Sequence, residues 1–151
     1  MSTVQTAFHE RPSTGPAADL AARIQALIPV LDTERLILRA PRIEDFGGFA
    51  EMVMGERGAY FGHPETRAEA WETFIQLTGT WVLRGHGAWA VTDRATGALL
   101  GFALIGAEPG DQEPELGWIV SAGAEGKGVA REAAEAVRAQ GFGAFALPSM
   151  V

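Results

Sequence analysis

Between positions 123 and 137 the chain reads GAEGKGVAREAAEAV, with Gly123, Gly126 and Gly128 closing around Lys127 before a run rich in alanine and glutamate. Glycine is costly in a helix, whereas alanine and glutamate favour one. Such a junction has a chemical use if the turn grips an anion. A helix N-terminus carries four unpaired N–H groups and about half a positive charge. Gly126 and Gly128 lack Cβ atoms, so an oxyanion can reach the backbone and the turn can adopt positive φ. Lys127 and Arg131 add positive charge in a chain that is otherwise acidic. Phosphate is the natural ligand of such a turn; the competing reading is a glycine-rich strand–helix connection that binds nothing. Two standard phosphate motifs fail. A Walker A loop needs Gly at 121 and Ser or Thr at 128, where Ser121 and Gly128 stand, and a dinucleotide fingerprint from Gly126 needs Gly or Ala at 131, where Arg131 stands.

The elements that must position this turn follow from periodicity. Residues 1–16 are polar and proline-bearing and read as a flexible N-terminal arm, with a single domain over 17–151. Leu20, Ile24, Leu27 and Ile28 predict a helix over 17–28 that ends at Pro29. In 34–40, Leu36 and Leu38 alternate with Arg35, Ile37 and Arg39, which predicts a strand. Ile43, Phe46, Phe49, Ala50 and Val53 predict one amphipathic helix over 43–54. After the glycine-bearing loop GERGAYFGHPET, Thr66 and Glu69 make a capping-box pattern for a helix to about Leu83. Residues 87–93 and 98–107 read as a hairpin, and 115–121 as a further strand. The last helix is expected over 126–140, with Val129, Ala133, Ala136 and Val137 packing inward and Arg131, Glu132, Glu135 and Arg138 facing water. Strands interleaved with helices imply a mixed α/β (α+β) sandwich.

Composition narrows the function classes. The 151 residues contain no cysteine, which rules out disulfides and cysteine-bound metals and agrees with a cytoplasmic location. His9, His63 and His86 lack metal-ligand spacing, so no metal site is expected. Twelve basic against nineteen acidic residues, a net charge of −7, argue against nonspecific nucleic-acid binding and suit a cationic partner. No apolar run is long enough to span a bilayer.

Three phrases in order resemble the GNAT N-acetyltransferase superfamily, in particular its RimJ/RimL-like branch. LDTERLILRAPRIEDF is similar to the opening strand and first helix of that branch, and GAWAVTDRATGALLGFALIG to its central hairpin. ELGWIVSAGAEGKGVAREAAEAV is similar to the strand and acetyl-CoA turn that follow. The resemblance implies a mixed, mostly antiparallel sheet flanked by helices, acetyl-CoA as cofactor, and acetyl transfer to a primary amine or a protein N-terminus by direct attack. The family's Q/R-x-x-G-x-G/A signature falls on Glu125, Gly126, Lys127, Gly128, Val129 and Ala130, followed by Arg131. Gly128 and Ala130 fill the two small positions. Glu125 departs from the pattern, and its carboxylate would repel phosphate if it pointed inward. Val120, and Ile119 beside it, are expected to offer backbone groups to the pantetheine arm.

Direct attack on a thioester needs a base for the amine proton, a donor for the developing oxyanion and an acid for the thiolate. Glu115, at the head of an apolar strand, is the candidate base; the alternative is a solvated strand-end residue. The Val120 N–H is the candidate oxyanion donor. Resemblance also places Tyr60, Phe61 and His63 on the acceptor side, against a reading of plain loop packing, while Trp89 and Trp118 read more readily as core than as cleft. A strand parallel to 115–121 is expected to begin at SMV, where the sequence ends. Relatives continue with the rest of that strand, a helix and two strands, which carry the thiolate acid. The resemblance therefore implies that these C-terminal strands are missing, with activity impaired and a homo-oligomer formed through the bare sheet edge. A non-catalytic CoA-binding remnant and a small interaction domain are the alternative functions.

Overall fold

The computed structural model describes residues 5–151. Five strands form one sheet in the order β1-β2-β3-β4-β5, with every neighbouring pair antiparallel. They are β1 (Leu31–Asp32), β2 (Leu36–Arg39), β3 (Ala88–Asp93), β4 (Leu99–Gly106) and β5 (Glu115–Val120). The expected hairpin is β3–β4, closed by a turn over 94–97 in which Asp93 accepts from the N–H groups of Ala95 and Thr96 and Gly97 takes φ +77°. Four α-helices accompany the sheet: α1 (Gly15–Leu27), α2 (Phe46–Met54), α3 (Arg67–Arg84) and α4 (Val129–Phe142).

Strand alternation divides the core into two layers. Ala88, Ala90, Phe102, Leu104 and Ile119 point to one face, where Phe46, Phe49 and Val53 of α2 and Phe74 and Leu77 of α3 cover them. Trp89, Val91, Ala103, Ile105, Leu36 and Leu38 point to the other face and meet Val129, Ala133 and Val137 of α4. Both faces of β3 and β4 are thereby buried, so these strands read as continuous apolar runs rather than alternating ones. The capping box at α3 forms as the sequence predicts: Thr66 Oγ1 accepts from the Glu69 N–H at 3.1 Å, and Glu69 accepts from the Thr66 N–H.

Several expectations need correction. The helix expected over 43–54 starts as a 3-10 turn at Ile43–Asp45, because Asp45 is drawn into a bidentate pair with Arg39 (2.8 and 2.9 Å) and also accepts from the Arg42 N–H. The first helix spans Gly15–Leu27 and buries none of its residues, so its apolar spacing seats no stripe in the core. Within the stretch read as an arm, Glu10 lies on Arg67 of α3 and the His9 ring meets Trp71 edge-on. The last helix begins at Val129, three residues later than expected, since Gly126 (φ +71°) and Gly128 (φ +77°) take left-handed conformations that a helix interior does not allow. Past α4 the chain turns back, placing Phe145, Leu147 and Met150 on the α4 layer. Its final residue reaches β5. The Val151 N–H donates to Pro114 O (2.9 Å) and the Leu116 N–H donates to Val151 O (2.7 Å), which frames Glu115 in the parallel pattern expected of SMV.

Candidate active site

The turn from 121 to 128 is shaped by its conformational needs. Ala122–Ala124 form a 3-10 turn whose Ala124 is buried against the α4 layer. Gly126 and Gly128 then swing the chain into the helix. Among the described residues no side chain caps α4, and its first intrahelical bond runs from the Glu132 N–H to Gly128 O at 3.1 Å. Among the described residues, no acceptor meets the main-chain N–H groups of Gly126 to Arg131. A Cβ at Gly126 would meet nothing within 4 Å, so the turn is open at that residue, whereas one at Gly128 would lie 3.2 Å from the Arg35 guanidinium.

The turn is braced from two sides. Glu132, expected to face water, instead accepts from Thr33 Oγ1 (2.5 Å), the Arg35 N–H (3.0 Å) and Arg35 Nε (2.8 Å). Burial pushes its carboxyl up, but the hydrogen bonds from Thr33 and Arg35 outweigh that and hold it below the ordinary carboxylate range. Arg35 also donates to Lys127 O at 2.9 Å, tying the β1–β2 connection to the turn. On the opposite side, Arg57 donates twice to Glu125, and this charge-assisted pairing lowers the Glu125 pKa. The carboxylate that departs from the family signature is therefore ionised and paired with a cation. Lys127 and Arg131 are exposed, and Arg131 pairs along its own helix with Glu135.

Strand parity decides which backbone groups of β5 are available. The Ser121 N–H donates to Leu100 O, and the register pairs Ile119 with Phe102 and Val120 with Gly101. In an antiparallel ladder, residues alternate between bonding their neighbour and facing away. Ile119 and Gly117 therefore spend their N–H and C=O on β4, while Leu116, Trp118 and Val120 direct theirs to the outer edge. The outward bond from Leu116 to Val151 fits this parity. Trp118 and Val120 have no main-chain partner on that edge among the described residues. The expectation for Ile119 is thus corrected: its carbonyl leans over Gly101, where a Cβ would overlap it.

Beside the first half of β5 lies a cavity of about 560 Å³, lined in part by Phe61, Thr73, Leu77, Glu108, Glu115 and Trp118. Glu115 is exposed and opens into this space, so the strand-end carboxylate sits at a cleft.

A model of the GNAT acetyltransferase domain matches residues 35–151. An acetyltransferase from Agrobacterium tumefaciens is 35% identical with a TM-score of 0.75, over 82% of this chain and 72% of that one. The chain belongs to the GNAT acetyltransferase family. Two more distant structures share its fold. One is a GNAT-family acetyltransferase from Bacillus anthracis (22% identity, TM-score 0.64, covering 81% of this chain and 71% of that one). The other is a point variant of a spermidine N-acetyltransferase from Vibrio cholerae (19%, 0.59, 78% and 69%).

Within this GNAT domain the site residues expected from sequence separate into groups. Gly126 to Arg131 lie together on the turn, and Val120 presents its backbone to the edge beside it. Phe61 and Glu115 share the cavity. His63 is exposed, with φ +45°, and does not line it. The side chain of Tyr60 lies outside the described residues. Trp89 is fully buried, as expected of a core aromatic, whereas Trp118 is 48% exposed and walls the cavity instead. Sequence reasoning missed Arg57, Arg35 and Glu108. A cation inside GERG and an acid beside Pro109 carry no periodic signal, and their roles arise only from contacts far along the chain.

Proposed function

We propose that this domain is an acetyl-CoA-dependent N-acetyltransferase acting on a primary amine. The observation that carries the reading is the row of main-chain N–H groups from Gly126 to Arg131 that meet no acceptor among the described residues, open at Gly126 and flanked by a Glu125 that is ion-paired with Arg57. These groups suit a diphosphate, which needs donors but no deep pocket. When bound, acetyl-CoA supplies a thioester whose acetyl carbon is open to an amine.

The order of elements supports a division of the remaining roles. From the turn back along β5 come the outward groups of Val120, then those of Trp118, then Glu115 in its cavity. At about 3.3 Å per residue, Val120 stands some 16 Å before Glu115. Val120 therefore pairs with the pantetheine arm nearer the diphosphate. The Trp118 N–H, two residues closer to the cavity, is better placed than that of Val120 to donate to the developing oxyanion. Glu115 takes the proton of the attacking amine, directly or through one water. Phe61 offers an aromatic wall, and Glu108 and Glu115 give the cavity a negative lining that favours a cationic acceptor. We place the domain on the RimJ/RimL-like branch, on the three sequence phrases in their order, and in the cytoplasm.

Titration calorimetry with CoA and acetyl-CoA tests the cofactor, and thiol release with a panel of primary amines tests the reaction. Saturable binding with amine-dependent release is expected. No binding at millimolar cofactor refutes the reading, and binding without release from any amine reduces the domain to a CoA-binding module.

A further inference from the structure

The ion pair between Arg57 and Glu125 joins two parts of the site that the sequence keeps 68 residues apart. Glu125 is the residue immediately before Gly126, the first of the open N–H groups. Arg57 belongs to the 3-10 turn Glu56–Phe61, whose last residue lines the acceptor cavity. That turn packs on α2: Gly58 is buried so closely on the Val53 carbonyl that a Cβ there would overlap it. The guanidinium thus reaches from a turn packed on α2 to a carboxylate immediately before Gly126. Both oxygens are engaged, by Nε and by a terminal nitrogen, which holds the negative charge against Arg57 and away from the turn.

We propose that Arg57 is a positioning residue for cofactor binding: by clamping Glu125 it removes the repulsion that this carboxylate would otherwise exert on the diphosphate. The proposal rests on the CoA reading above and adds a residue outside the phosphate turn to it. It has an electrostatic consequence. With Arg57 gone, Glu125 becomes a bare negative charge immediately before the N–H groups on which a multiply charged ligand would sit. With both gone, the repulsion disappears. The effect of Arg57 must therefore depend on Glu125 and must fade as salt screens the charges.

The test is calorimetric titration of CoA into the full chain and into Arg57→Ala, Glu125→Gln and the double variant, at low and high ionic strength. Arg57→Ala is expected to bind about tenfold more weakly at low salt, equivalent to about 1.4 kcal/mol. The double variant is expected to return to within about twofold of the wild type, since the charge that Arg57 offsets is absent. The tenfold gap should narrow at high salt. Arg57→Lys keeps the charge without the fork and should fall between wild type and Arg57→Ala. Should Arg57→Ala not fold, the proposal is decided by the Lys variant and by Glu125→Gln, which must bind CoA at least as well as the wild type. Wild-type affinity in Arg57→Ala, or a double variant as weak as that single one, overturns the proposal while leaving the CoA reading intact. Absence of CoA binding by the wild type overturns both.

Discussion

Placing a carboxylate at Ala130 should move stability and cofactor affinity in opposite directions. Gly128 is the N-cap of α4, so Ala130 is the second helical residue, half-buried at the open end of the turn. An acidic side chain in the first turn of a helix interacts favourably with the dipole, by about 0.3–1 kcal/mol. Ala130→Glu should thus leave folding unharmed or slightly improved in urea denaturation. A diphosphate held by the same N–H groups would meet that carboxylate head-on. At a separation of about 6 Å and an effective dielectric of about 20, each unit of ligand charge costs about 2.8 kcal/mol, equivalent to roughly a hundredfold in affinity. Ala130→Gln matches the glutamate in size without its charge, so the difference between the two isolates electrostatics from crowding. Titration calorimetry with CoA reads the outcome. Equal affinity in Ala130→Glu and Ala130→Gln would refute the diphosphate assignment, because no anion could sit on those amides without sensing the charge.

Glu115→Gln should lower kcat for amine acetylation at least about a hundredfold, the lower end of what a general base contributes, while CoA affinity stays at the wild-type value; an unchanged steady-state rate removes Glu115 as the base. Asp45 is 5% exposed and satisfies Arg39 twice, so Asp45→Ala strands a partly buried guanidinium and should cost about 3 kcal/mol in chemical denaturation. Glu132 links stability to pH. Its folded pKa is depressed, so its contribution is fully present above the unfolded value near about 4.3 and is lost as pH falls through the lower folded value. Glu132→Gln should therefore show a flatter fall in stability across that acidic window than the wild type, and parallel curves in urea denaturation would contradict the anchoring role.

The sheet and its helices were legible because each is encoded locally. The Thr66–Glu69 cap, the turn over 94–97 and the two-sided apolar runs of β3 and β4 need no distant partner to be recognised. The turn ahead of α4 was legible for a different reason: Gly126 and Gly128 stand where the chain takes positive φ between strand and helix, which glycine adopts freely. What stayed hidden depends on parity and on contacts across the chain. Ile119 and Val120 are equally apolar neighbours, and only the register with Gly101 and Phe102 shows that one backbone is spent and the other free. Glu132 looks like any surface glutamate on a helix until Thr33 and Arg35, nearly a hundred residues earlier, fold onto it.

Glu125 carries the point furthest. Read alone, it would be an obstacle to a phosphate; paired with Arg57, it ties the turn over 56–61 to the turn ahead of α4. A one-dimensional motif scores each position for what it offers the ligand, so it treats this glutamate as a mismatch. The folded chain judges the pair, and the pair is neutral. Departures from a binding signature are therefore best weighed only after asking which residue elsewhere in the fold meets them. Arg57, on the turn whose Gly58 packs against Val53, is the residue that meets Glu125 here.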